Sequence, residues 1–182
     1  MQHLEKGDSL PSLRQLGSEL GVTHAAVYRH YKNKDDLTGY LLREAYKELY
    51  EGFATASAAS EDPKLKVLNL CKFFFNHFKK RRGLLKLMFG KEFEDLNQKF
   101  MLREVADPIF NLLKQILDDL FNDHPKTAQF SLSLWALTYG FSQLYFLNRL
   151  PRHVTSDEQA LATLLDTIDL HLKNFSRETN RT

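Results

Sequence analysis

Residues 13–37 read LRQLGSELGVTHAAVYRHYKNKDDL. Leu13, Leu16 and Leu20 recur at helical spacing, with Ser12 ahead of them as an N-cap and Gly21 behind them as a stop. Thr23 can cap a second short helix, from about His24 to Tyr31. Lys32-Asn33-Lys34 is a polar turn, and Asp35 and Asp36 then open a long helix, where acids suit the positive end of the dipole. Two short helices joined by a turn that contains Gly form a helix-turn-helix pattern. The second helix of such a unit lies in the major groove of DNA with its N-terminal residues toward the bases.

The charges in this stretch fit that use. No acid occurs between Glu19 and Asp35, while His24, Arg29, His30, Lys32 and Lys34 fall inside the window with Tyr28 and Tyr31. Acids are excluded where phosphates would approach. Thr23 puts a hydroxyl and a helix N-terminus at one spot, which suits a phosphate. Ala25 and Ala26 are small enough to let the helix approach base edges, and an Ala methyl can touch a thymine methyl. The bland alternative is an incidental helical hairpin.

The remainder reads as all-α. No alternating runs meet at an Asn-Gly or Asp-Gly turn, so no hairpin is expected. The patterning predicts a helix opened by Asp62-Pro63 and ended by Lys79–Arg82 and Gly83, then a short one over 84–89 stopped by Gly90. A long segment over 93–121 contains Pro108, which predicts a kink or split there. Asp123-His124-Pro125 opens the most apolar helix, ending near 150–151. Ser156-Asp-Glu-Gln159 is a capping box for the last helix. These elements divide into an N-terminal unit, 1–50, and a larger helical domain, 51–182.

Composition sets limits. The 182 residues suffice for one ordinary domain or a small one fused to a larger. With 43% hydrophobic and 26% charged residues the chain is globular rather than disordered. A net charge of +2 is too small for a polybasic binder, so any nucleic-acid contact must be local. The single Cys71 excludes an intramolecular disulfide framework. That fits a reducing compartment and, with no signal peptide opening the chain, leads to the expectation of a cytoplasmic protein. The uncharged run 130–147 barely reaches spanning length and lacks basic anchors, so a buried helix is expected and no membrane.

Chemistry-bearing clusters are scarce. No nucleophile elbow, phosphate-binding Gly loop or metalloprotease motif is present, so no catalytic residue, no enzyme activity and no cofactor are expected. His77, His124, His153 and His171 lack metal-ligand spacing, and no metal is expected. Cys71 lies in an apolar run and reads as buried and inert. Phe74, Phe78, Phe89, Phe110, Trp135 and Tyr139 are candidates to line an apolar ligand pocket, which points to a hydrophobic or aromatic small molecule. Each of them read alone is ordinary core. Asn76, His77, Gln115, Thr138 and Gln143 are the polar groups near them that would orient a ligand.

Residues 13–37 resemble the DNA-binding region of TetR-type transcriptional regulators, above all in Val27-Tyr-Arg-His-Tyr31 followed by Lys-Asn-Lys-Asp-Asp-Leu37. The resemblance implies that Thr23, His24 and Ala25 meet bases or adjacent phosphates. It implies that Tyr28, His30 and Lys34 bind phosphate, and that Arg29 touches phosphate or base. Leu13, Leu16, Leu20, Val22, Val27, Tyr31 and Leu37 would form the small core of the unit. Trp135-Ala-Leu-Thr-Tyr139-Gly140 is similar to a Trp-x-x-x-His-Gly element of one subgroup, with Tyr139 in place of the His.

The resemblance further implies a homodimer on a palindromic double-stranded DNA operator, with repression relieved by a small-molecule effector. Its interface would be made by the last two helices, near 124–150 and 156–176, through Phe141, Leu144, Tyr145, Leu161, Leu164, Leu165, Ile168 and Leu172. Two departures stand out. Only Met1–Gly7 precede the unit, with Gly7 where the family has the glycine after its first helix, so most of that helix is expected to be missing. Gly17 replaces the usual Ala, at roughly 1 kcal/mol of helix propensity. The competing expectation is a helical ligand- or partner-binding protein whose N-terminal unit is degenerate and does not bind DNA.

Overall fold

The computed structural model describes residues 12–179 other than Leu20, Val22 and His153, and of Leu16, Gly17, Glu19, His24 and Glu178 the backbone alone. Among the described residues there are nine helices and no strand. They are α1 (Leu13–Glu19), α2 (His24–His30), α3 (Lys34–Ala58), α4 (Pro63–Lys79), α5 (Arg82–Met88), α6 (Lys91–Phe100), α7 (Leu102–Phe121), α8 (Thr127–Phe146) and α9 (Asp157–Thr179). No helix among them is long and apolar enough to cross a membrane.

Two compact units emerge. One joins the chain up to Glu48 with Lys80–Asp107, and the other joins Leu49–Lys79 with Pro108–Thr182. Residues 80–107 therefore pack with the N-terminal segment, although they follow α4 in sequence. The chain passes from the first unit to the second within α3 and again within α7.

In the first unit, Leu13 of α1, Val27 of α2 and Leu37 of α3 are buried together, with Tyr31 and Leu41 packed against them. Further along α3 the unit gathers α5 and α6. Tyr46 is buried; its hydroxyl donates to the Met88 carbonyl, and its ring meets Phe89 and Phe93 edge-on at 6.4 and 5.6 Å. Arg43 donates to the Phe100 and Met101 carbonyls at 2.6 and 3.1 Å, closing the end of α6. The Phe100 carbonyl, in the last turn of α6, has no N–H donor inside its own helix.

The long segment expected to break at Pro108 breaks instead at Met101. That residue takes a left-handed conformation, φ 49°, as the C-cap of α6. Asn97 fixes the corner: its carbonyl accepts the Met101 N–H, and its Oδ1 accepts the Arg103 N–H at 3.0 Å. α7 then runs on through Pro108. Proline already has a helical φ and costs one backbone hydrogen bond, here the one to the Glu104 carbonyl, which the rest of a 20-residue helix sustains. The basic run also differs from expectation: α4 ends at Lys79, but Arg82 and Gly83 open α5 rather than ending α4.

The second unit is built on aromatic contacts. Phe74, Phe75 and Phe78 of α4 are fully buried. Phe130 of α8 stacks on Phe175 of α9 at 4.1 Å, and Phe121 meets Phe175 edge-on at 4.8 Å. α8 is shorter than expected at both ends. Left-handed residues flank it, Asn122 and Asp123 before and Asn148 after, and Asn and Asp tolerate that conformation best among residues with side chains. At α9 the box is offset by one residue: Ser156 Oγ accepts the Gln159 N–H at 3.2 Å, while Gln159 Oε1 accepts the N–H of Thr155 at 2.9 Å.

Burial on α8 runs against the usual pattern. Its buried face carries Thr127, Ser131, Thr138 and Ser142 beside Phe130, Leu134 and Phe146. Ser131 and Ser142 satisfy their hydroxyls by donating back to the carbonyls of Thr127 and Thr138, four residues earlier. Leu132 and Leu144 of α8, with Leu147 just beyond it, are exposed.

Candidate functional site

The helix-turn-helix is assembled from local rules. At the start of α1, Ser12 Oγ accepts the Gln15 N–H at 3.2 Å and Gln15 Oε1 accepts the Ser12 N–H at 2.9 Å, a reciprocal capping box. Gly21 takes φ 65° in the turn, a conformation glycine adopts without strain. Thr23 is extended, φ −67° and ψ 148°, and its hydroxyl accepts the Ala26 N–H at 3.3 Å, so it caps α2. Tyr31 ends α2 by donating its N–H to the Val27 carbonyl.

With Val27 turned into the small core, the opposite side of α2 presents Ala25, Tyr28 and Arg29 outward at i, i+3, i+4 spacing. Thr23, His30, Lys32 and Lys34 are exposed as well. Six of the seven residues proposed to meet DNA thus lie at the surface of one short stretch. The side chain of the seventh, His24, lies outside the described residues, as do Leu16, Leu20 and Val22 of the expected small core. So does the segment before Ser12, where the first helix was expected to be mostly missing.

The two acids that close the basic window part company. Asp35 is exposed, while Asp36 is buried. Asp36 accepts the Lys99 ammonium at 2.6 Å and the Lys32 N–H at 3.0 Å. The hydrogen bond from Lys99 holds its carboxyl below the ordinary value, assisted by Lys32 and opposed by burial. One negative charge is thereby turned inward and neutralised next to the basic turn. Sequence reading missed the Asp36–Lys99 pair, because nothing local in the sequence connects α3 to α6.

A cavity lies wholly within the second unit, lined by Phe53, Leu70, Cys71, Phe74, Leu113, Trp135 and Thr138. The space among them is about 280 Å³, part of it open to solvent, and its enclosed part has room for about one water. Trp135 meets Phe53 edge-on at 6.4 Å and Phe74 at 5.9 Å. Cys71 Sγ and Thr138 Oγ1 are 3.4 Å apart. Burial pushes the Cys71 thiol up to about 11, so it stays protonated at neutral pH.

Of the six residues expected to line a pocket, Phe74 and Trp135 do so. Phe78 is enclosed in the core, and Phe110 and Tyr139 are half-buried away from the cavity, with Tyr139 Oη bonded to Gln143 at 3.0 Å. Phe89 belongs to the first unit, against Tyr46. The sequence offered Cys71 as a buried position and Thr138 as a polar group for a ligand, but could not show that they share a wall with Phe53, Leu70 and Leu113.

The residues expected at a dimer interface also separate. Leu164, Ile168 and Leu172 are buried in the unit's own core and cannot face a second chain without unfolding it. Phe141, Leu161 and Leu165 are half-buried. Tyr145 is half-buried and donates to Asp157, which also holds Lys79 at 2.8 Å. Leu144 is exposed, and so are Leu132, Leu147 and Leu170, which were not foreseen.

A helix-turn-helix followed by a helical unit with an apolar cavity is the TetR-like fold, and comparison with solved structures bears this out. A protein of unknown function from Rhodococcus sp. RHA1 superposes with a TM-score of 0.70 at 19% identity, over 87% of this chain and 82% of that one. The TetR family transcriptional regulator PfmR from Thermus thermophilus superposes with a TM-score of 0.68 at 17% identity, over 90% and 88%. No family model matches the sequence, and no curated protein matches it either.

Proposed function

We propose that this chain is a ligand-responsive, DNA-binding transcriptional regulator, a repressor acting as a homodimer on a palindromic operator. The observation that carries the reading is the exposed face of α2: Ala25, Tyr28 and Arg29 stand beside a capped helix N-terminus at Thr23, flanked by His30, Lys32 and Lys34. Small side chains there admit a base edge, and the surrounding cations and hydroxyls suit phosphates. Asp36 turned inward removes a repulsive charge from that surface.

The dimer reading rests on α8. Leu132, Ala136, Gly140 and Leu144 recur every four residues along its outward ridge, with Leu147 beyond them. A helix that buries Ser and Thr while exposing Leu has its apolar ridge available to a second copy. Outside its own stretch of helix, no atom of the described residues lies within 4 Å of where a Cβ on Gly140 would be, so another backbone can approach closely there. Two-fold pairing would set two copies of α2 on half-sites about one helical turn apart.

Selection of bound duplexes from a random DNA library tests the reading. Enrichment of a two-fold palindrome is the expected result. Absence of any enriched sequence, with the chain folded and dimeric, would overturn it in favour of a partner-binding protein.

A further inference from the structure

The cavity of the second unit has a definite chemical character. No charged side chain is among its lining residues, and three aromatic rings, two leucines, one thiol and one hydroxyl make its wall. Burying a charge without a partner is strongly unfavourable, so a carboxylate or ammonium has no place there. Thr138 is the distinctive group. The other Ser and Thr hydroxyls of α8 — Thr127, Ser131, Ser133 and Ser142 — donate back to helix or turn carbonyls. The Thr138 hydroxyl instead meets the Cys71 sulfur at 3.4 Å, a weak partner that a better one can displace.

We propose that this cavity takes a small, uncharged ring bearing one hydroxyl or carbonyl oxygen, with the ring among Phe53, Phe74 and Trp135 and the oxygen on Thr138. This rests on the ligand-responsive reading above and names the class of ligand. Size sets a condition: enclosed apolar cavities that hold benzene are roughly 150 Å³, so a ring can enter here only by widening the cavity into its solvent-open part. With room for only about one water at rest, the wall must give as the ring enters. The Cys71 thiol, protonated at neutral pH, keeps that wall uncharged.

Trp135 is the only tryptophan, so its emission reports on the cavity. Phenol, toluene and benzoate would be titrated into the full chain at neutral pH, reading tryptophan emission and Tm. Phenol and toluene should give saturable changes in emission and raise Tm, while benzoate should do neither. Thr138→Val should weaken phenol about tenfold and leave toluene unchanged, and Thr138→Ser should restore phenol.

Benzoate binding as tightly as phenol, no saturable response to phenol, or phenol affinity indifferent to Thr138→Val would each overturn the proposal. So would loss of toluene together with phenol in Thr138→Val, which would make Thr138 a packing residue. The assay needs no DNA. Phenol that binds as expected yet leaves affinity for a selected duplex unchanged would uphold the ligand class and overturn the ligand-responsive part of the regulator reading.

Discussion

The ring of Phe100, at the end of α6, fills the space that a side chain at position 39 would need: a Cβ placed on Gly39 of α3 would lie 2.3 Å from Phe100 Cδ2. The contact is part of an aromatic chain, Tyr31 to Tyr40 at 5.9 Å and Tyr40 to Phe100 at 5.7 Å, both edge-on. With Lys99 on Asp36 and Arg43 on the Phe100 carbonyl, it fastens α6 to the first half of α3.

Gly39→Ala should therefore destabilise the protein by about 1–3 kcal/mol through overpacking, even though Ala is the better helix former by about 1 kcal/mol. Chemical denaturation measures it. In a Phe100→Ala background the same substitution should become neutral or stabilising, and a strictly additive double-mutant cycle would show that the two residues are not in contact.

Asp36 supplies a pH dependence. Its carboxyl sits below the ordinary 3.8 in the folded protein because Lys99 donates to it. The unfolded chain lacks that partner, so it takes up the proton first as pH falls. The pair's contribution is thus complete above pH 3.8 and is lost as pH drops through the lower native value. Asp36→Asn should lower the urea midpoint at neutral pH and flatten its fall in acid. A midpoint unchanged at neutral pH would remove Asp36 from the stabilising set.

On DNA, Lys34→Ala should weaken binding to all sequences alike and lessen the salt slope by about one for each phosphate no longer neutralised. His24→Ala should change which sequences are preferred. If about six phosphates are neutralised per dimer, log affinity should fall with a slope near −5 against log salt, in the range about −0.9 per phosphate predicts. Fluorescence anisotropy at several salt concentrations gives both numbers.

Gly140→Leu discriminates the dimer surface from the protomer core. With no described residue outside its own stretch of helix within 4 Å of the Cβ position, the protomer should accept the larger residue and gain about 1 kcal/mol or less of helix propensity. The dimer should not: sedimentation should show monomers with intact helical content, and affinity for a palindromic duplex should fall sharply. A variant that stays dimeric would place the interface elsewhere.

Caps, stops and spacing were legible residue by residue around α1 and α2. Ser12, Gly21 and Thr23 act within a few positions of themselves, and such rules need no knowledge of the rest of the chain. The all-helical class followed from the same periodicities, while the burial of Leu13, Val27 and Leu37 was what the family resemblance implied. The exposed face of α2 was legible too, since a helix that buries Val27 must turn Ala25, Tyr28 and Arg29 outward.

The tertiary structure alone decided where long-range partners meet. An apolar segment such as α8 carries no amphipathic signal, so its sequence could not tell that Thr138 and Ser142 go inward while Leu132 and Leu144 stay out. Likewise the expected interface residues Leu164, Ile168 and Leu172 prove to be core, because the apolar stripe of α9 is used up within its own unit. The break at Met101 rather than Pro108 depends on Asn97 and on Arg43, the latter far away in sequence. Local chemistry fixes how a helix begins and ends; which of its faces is buried depends on neighbours brought together only by folding.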